Sequence, residues 1–201
     1  MGITPQQLRQ MEQRLQRAPR RATAVVEPAL RPVSNHQVLL GLDPSLRGTG
    51  YGVVRLSEPF PQTLAHGTIS CPANWEHSRC LAKIAATLRD VLKEHRPTVC
   101  VVEGIFFAQN LRTAIVMGEA RGAALCVIAE AGLEIFEIAT RKVKQAIVGY
   151  GGAQKLAVAK MVQRLLNLSE LPEPDAADAL ALALTHAREN FRFSINPPKR
   201  I

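Results

Sequence analysis

Two hydrophobic rhythms alternate along this chain. Between Gln37 and Ser70 the apolar residues come in short runs separated by small-residue turns. That pattern predicts three hairpin-linked strands, over 37–43, 51–56 and 63–70, with Pro59-Phe60-Pro61 turning between the last two. From Glu76 the spacing changes. Leu81, Ile84, Ala85, Leu88, Val91 and Leu92 recur at i, i+3, i+4, predicting a helix over 76–95 that Pro97 ends. Thr98 to Ile105 is a near-continuous apolar run, the signature of a strand buried on both faces. Next come a helix over 110–131, a strand over 133–138 and helices over 141–148, 153–166 and 175–189. This order predicts an α/β domain, a five-stranded mixed sheet flanked by helices. The small residues Gly118, Ala120, Gly122, Ala123 and Ala124 suit either a core-facing helix or a seam between two copies of the chain.

The ends of the chain break this pattern. Ile3, Leu8, Met11 and Leu15 are spaced for a weak amphipathic helix, but Pro19, Pro28 and Pro32 break any regular structure beyond it. Six arginines against Glu12 and Glu27 give residues 1–35 a net +4, half of the +8 of the whole chain. The expected organisation is a flexible basic extension over 1–35, one domain over 36–190, and a fraying tail over 191–201.

Charge and cysteines then narrow the class. A net charge of +8 favours a polyanionic partner, nucleic acid ahead of a membrane surface. Cys71, Cys80, Cys100 and Cys126 form no C-x-x-C pair, and Cys100 and Cys126 sit in apolar runs that predict burial. No stretch approaches the ~18 apolar residues of a membrane span, and the first 35 residues lack an apolar signal region. The expectation is a reduced, cytoplasmic protein without a membrane partner.

Four acids stand out from the solvated ones. Asp43 ends the first strand, and Glu103 lies near the end of an apolar strand where an isolated carboxylate is costly unless paired or metal-bound. Asp175 and Asp178 are three apart at the start of the last helix, on the face that also carries Leu182. Taken singly, Asp43 also reads as a turn residue and Asp175 as a helix cap. Together they make an oxygen-only set of the kind preferred by hard divalent cations. A two-metal centre of that type activates water and stabilises the leaving oxygen of a phosphodiester.

The motifs Gly41-Leu-Asp43-Pro-Ser-Leu-Arg-Gly-Thr-Gly-Tyr-Gly-Val53, Val101-Val-Glu103-Gly-Ile-Phe106, Gly118-Glu-Ala-Arg-Gly122, Val143-Lys-Gln-Ala-Ile-Val-Gly149 and Pro174-Asp-Ala-Ala-Asp-Ala-Leu-Ala-Leu-Ala183 occur in that order. In these stretches, from about Val38 to Glu189, the chain resembles the RuvC family of Holliday junction resolvases, which have a ribonuclease-H-like fold. The resemblance implies a homodimer that nicks a four-way DNA junction symmetrically. Asp43, Glu103, Asp175 and Asp178 are then metal ligands and catalytic acids for two Mg²⁺ per subunit, with Mn²⁺ as a substitute. It further implies base stacking by Phe106 and contacts to the scissile strand by Lys144 and Lys155. Arg112 and Arg121 become backbone-contact candidates, Asn110 matches the pattern and suits a helix cap, and a branch-migration helicase is the implied partner. Two positions depart from the family: Ser45 where Gly is usual, and Gly104 where Gln is frequent. Three other readings remain: a nuclease of the same fold acting on other branched or RNA-containing substrates, a non-catalytic junction-binding module, and an actin-like ATPase with Asp43 to Gly52 as its phosphate loop.

Overall fold

Strands and helices follow one another along the domain in the order that the apolar spacing predicts. The structure is a computed structural model, and it describes residues 36–104, 110–190 and 198–201. Phe106, the 1–35 extension and residues 191–197 of the tail lie outside the described residues. The strands are β1 (Val38–Asp43), β2 (Gly48–Arg55), β3 (Gln62–Ser70), β4 (Val99–Glu103), β5 (Glu134–Ile138) and β6 (Lys199–Arg200). The helices are α1 (His77–His95), α2 (Leu111–Glu130), α3 (Thr140–Val148), α4 (Lys155–Leu165) and α5 (Pro174–Asn190).

They build one mixed sheet in the order β3-β2-β1-β4-β5-β6. β1, β4 and β5 run parallel, β2 and β3 antiparallel to their neighbours. The expected five strands are there, and a sixth is added from the tail. β6 pairs with β5 through Phe136–Arg200 and Glu137–Lys199. Fraying is opposed at this end because Arg200 Nη1 lies 2.6 Å from Glu134 Oε1 and the Ile201 N–H donates to the Ile135 carbonyl.

Side chains alternate across the sheet with a period of two. Leu40, Leu42, Cys100 and Val102 face α1 and α2, while Leu39, Val99 and Val101 face α3, α4 and α5. By the same alternation Gly41, Asp43 and Glu103 belong to the α5 side. Residues at β1 and β4 are buried on both faces, which accounts for their nearly unbroken apolar runs.

The glycines of the β1–β2 hairpin set how close α5 comes. A Cβ on Gly41 would overlap the Ala179 carbonyl, and one on Gly50 would overlap the Asp175 carbonyl. On Gly52 it would sit 2.7 Å from Leu180 Cδ2. β2 begins three residues earlier than the spacing predicts, because Gly48-Thr-Gly is a paired strand against which the helix backbone rests. The hairpin itself is closed by Thr49, whose hydroxyl donates to the Ser45 carbonyl at 2.6 Å and accepts from the Ser45 N–H at 3.2 Å. Ser45 has no positive φ, so its β-carbon is tolerated at the position where the family usually has Gly.

Helix α2 divides its small residues between two faces. Ala120 and Ala124 are fully buried, whereas Gly118 and Gly122 are exposed with nothing within 4 Å of a built Cβ. Leu111, Ile115, Gly118, Gly122 and Cys126 form one outward stripe at helical spacing. Cys126 is therefore exposed, contrary to expectation, because it falls one turn after Gly122 on that stripe. Among the described residues, no helix is long and apolar enough to cross a membrane.

Gly50→Ala is expected to destabilise the domain by about 1–3 kcal/mol through overpacking against the α5 backbone. Chemical denaturation checks this; an unchanged midpoint would mean that α5 is free to move away from the hairpin.

Candidate active site

Asp43 and Glu103 end neighbouring parallel strands on the face covered by α5. The last matched pair between those strands is Leu42–Val102, so each acid comes directly after it. The glycine-permitted approach of α5 brings its first turn over the same point: a Cβ on Gly48 would lie 2.8 Å from Asp175 Oδ2. Asp178 lies one turn further along the helix. The sheet and α5 thus bring together all four acids singled out in the sequence.

Their electrostatics are strained. Burial, then the charge of Glu103 and a hydrogen bond to it, then the charge of Asp178, push the Asp43 carboxyl up to about 8 from the ordinary 3.8. Burial also raises Asp178, against the pull of the Lys155 hydrogen bond and charge. Lys155, the first residue of α4, places Nζ 2.9 Å from Asp178 Oδ2 and 3.9 Å from Asp175 Oδ1. Burial works to lower the Lys155 amine, but Asp178, Asp43 and Asp175 outweigh it and raise it. Lys155 thus supplies positive charge to the acid cluster, and Asp178, Asp43 and Asp175 all bear on it. As the side chains stand, no group of three or more among the described residues closes around a metal ion. The donor set is nevertheless carboxylate oxygen throughout, the chemistry of a hard divalent cation. Lys155 marks where positive charge is most favoured.

The remaining sequence candidates fall in different places. Lys144 is half-buried on α3, one turn beyond Thr140 and on the same face. Asn110 caps α2, its Oδ1 accepting from the Thr113 N–H at 2.9 Å. Arg112 is exposed in the first turn of α2. Arg121 points inward: Nη2 is 2.5 Å from Glu137 Oε2 and Nη1 donates to the Glu103 carbonyl. This placement does not leave its guanidinium free for a phosphate.

Two neighbours of the site are not among the sequence candidates. Thr140 donates to Glu103 Oε1 at 2.6 Å, and Glu137 holds Arg121. Glu137 carries the same signal as Glu103, a charge near the end of an apolar strand. Thr140 carries the signal of Asp43, a polar residue at a strand's carboxyl edge. Gly104, the second departure from the family, lies beside Glu137: a Cβ there would sit 3.3 Å from Glu137 Cγ.

This arrangement defines a ribonuclease-H-like α/β domain with an acidic centre at the carboxyl ends of its middle strands. A family profile described as crossover junction endodeoxyribonuclease RuvC matches residues 39–186. The crossover junction endodeoxyribonuclease RuvC of Rubrobacter xylanophilus is 43% identical over 152 residues, 75% of this chain and 85% of that protein. That of Akkermansia muciniphila is 44% identical over 161 residues, 80% of this chain and 93% of that protein. The structure of Thermus thermophilus RuvC in complex with a Holliday junction substrate matches with a TM-score of 0.74 at 34% identity, covering 83% of this chain and 100% of that one. The chain belongs to the RuvC family of crossover junction endodeoxyribonucleases.

The Asp43 shift has a stability consequence. Its folded value, about 8, lies above the ordinary 3.8, so the fold disfavours the ionised form. The penalty is absent below about pH 4, grows as pH rises, and is complete above about pH 8. Without divalent cations, Asp43→Asn is expected to melt higher than the parent at pH 8 by about 2–4 °C, for roughly 1 kcal/mol, with the gap closing toward pH 4. Parallel melting curves across that range would refute the shift.

Proposed function

We propose that this chain is a structure-selective endodeoxyribonuclease that resolves Holliday junctions by symmetric, metal-dependent phosphodiester hydrolysis, in DNA recombination and repair. The observation that carries the reading is the convergence of Asp43, Glu103, Asp175 and Asp178 on one sheet end, within a chain that is basic overall. Asp43, Glu103, Asp175 and Asp178 would hold two Mg²⁺ per subunit, with Mn²⁺ as a substitute. Such ions supply Lewis-acid stabilisation of phosphate charge and acidify the attacking water.

The protein's own groups do the rest. The net +8, carried mostly by residues 1–35 and the tail rather than by the domain, would draw a polyanion to the chain. Lys155 Nζ, 2.9 Å from Asp178 Oδ2, would donate to a non-bridging oxygen of a phosphate brought to the acids. Lys144 adds a second cation on the α3 face that leads from Thr140. Phe106 stacks on a base at the junction in this reading, and Arg112 contacts the backbone. Burial and the charge of Glu103 push the Asp43 carboxyl up to about 8, so a cation bound beside it would favour its ionised form.

The functional unit in this reading is a homodimer with one acid centre per subunit, matched to the two-fold symmetry of a four-way junction. Leu111 and Ile115 on α2 are 77% and 54% exposed, and the open Gly118 and Gly122 continue their stripe. That surface is the proposed seam. The small residues let a second backbone approach, and the leucine and isoleucine supply apolar area. A branch-migration helicase as partner, and a cytoplasmic location, rest on the family resemblance.

Asp178→Asn is expected to lower cleavage of a mobile four-way junction by roughly two orders of magnitude or more while junction binding survives. The assay compares the junction with a flap and an RNA–DNA hybrid in Mg²⁺. Paired symmetric nicks confined to the junction support resolution; equal cutting of the hybrid or flap favours the broader nuclease reading. For the seam, Ile115→Asp is expected to convert the dimer to a monomer by light scattering, and a dimer that persists unchanged would place the interface elsewhere.

A further inference from the structure

Arg121, Glu137 and Thr140 gather around Glu103 from three different elements. Arg121 reaches from α2 across the end of β4, with its side chain only 11% exposed. One arm of the guanidinium donates to the main-chain carbonyl of Glu103, and the other meets Glu137 Oε2 at 2.5 Å. On the far side of that carbonyl, the Gly104 N–H donates to the Ile138 carbonyl at 2.9 Å. Thr140, at the start of α3, donates to Glu103 Oε1 at 2.6 Å. The backbone on both sides of the Glu103–Gly104 peptide and one oxygen of the Glu103 carboxylate are therefore held.

The pairing of charges matters. A nearly buried guanidinium needs a counter-charge. Glu137, at 29% side-chain exposure, provides it, so Arg121 grips Glu103 through a neutral carbonyl. The counter-charge of Arg121 is thus Glu137, and its contact with Glu103 is to the main chain. A planar guanidinium serves two acceptors in fixed directions at once, which a lysine ammonium does not.

We propose that Arg121, braced by Glu137, and Thr140 are positioning residues for Glu103: Arg121 fixes its main chain at the end of β4, and Thr140 fixes the rotation of its carboxylate. The proposal rests on Glu103 being one of the acids of the centre. It gives Arg121 a role that requires no contact with DNA.

The test uses the full-length protein and three variants, Arg121→Gln, Thr140→Val and Thr140→Ser. Mg²⁺ is titrated calorimetrically into the DNA-free protein. The midpoint is expected to rise about tenfold or more in Arg121→Gln and Thr140→Val, the usual range for groups that orient a metal ligand. Thr140→Ser, which keeps the hydroxyl, should restore it. Junction affinity in EDTA and its dependence on salt should match the parent. A salt slope reduced by about one in Arg121→Gln would make that residue a phosphate contact and overturn its positioning role. Unchanged Mg²⁺ midpoints in both Arg121→Gln and Thr140→Val would overturn the proposal outright. If Arg121→Gln does not fold, the Thr140→Val and Thr140→Ser pair decides it. Glu103→Gln separates the two levels. Normal cleavage and a normal midpoint in that variant would remove Glu103 from the acid centre and take the proposal with it. A dead Glu103→Gln beside unaffected Arg121→Gln and Thr140→Val removes only the positioning role.

Discussion

The backbone of α5 lies directly on the β1–β2 hairpin, and the acidic centre depends on that contact. Helices normally pack on a sheet through side chains. Here Gly41 and Gly50 leave room only for the carbonyls of Ala179 and Asp175. The first turn of α5 therefore arrives at the strand ends rather than a side chain's length above them. Asp175 and Asp178 reach Asp43 and Glu103 as a result. Close packing of Leu180 and Leu182 behind them anchors the helix in the core, where both are almost fully buried.

The packing draws these acids together and electrostatics pushes them apart. Burial and mutual repulsion hold Asp43 far from its ordinary ionisation, and Lys155 compensates only in part. The arrangement costs stability unless further positive charge joins it, the mark of a functional rather than a structural cluster. The surrounding hydrogen bonds are distributed to match. Arg121 is balanced by Glu137, and Thr140 offers a neutral hydroxyl, so neither neutralises Glu103.

Much of this is legible in the sequence because its signals are local. Hydrophobic spacing locates the strands and helices, and two misplaced acids plus an i, i+3 pair mark the centre. The tail strand is not legible, because β6 is two residues long and is held by a distant Glu134, which no local pattern announces. Arg121 resembles a surface cation in the sequence because nothing in the helix pattern shows that its side chain reaches inward between α2 and β5. In the sequence Gly48 and Gly50 look like turn residues, and Gly41 and Gly52 like ordinary strand positions. Their function is an approach by a helix more than a hundred residues further along the chain, and long-range contacts of that kind leave no trace in spacing. Cys126 misleads for the opposite reason: an apolar stretch on a helix contains both faces, and only the fold decides which one is covered.

The hairpin glycines also bear on how such a protein tolerates inheritance. Almost any change at the first or second base of a glycine codon replaces hydrogen with a carbon side chain. At Gly41 or Gly50 that carbon meets main chain, which has no rotamer to yield. The acids advertise their importance through their chemistry. These two positions take no part in it, yet a side chain at either would press on α5, which carries Asp175 and Asp178. Substitutions there should disturb the acid cluster as surely as substitutions of the carboxylates themselves.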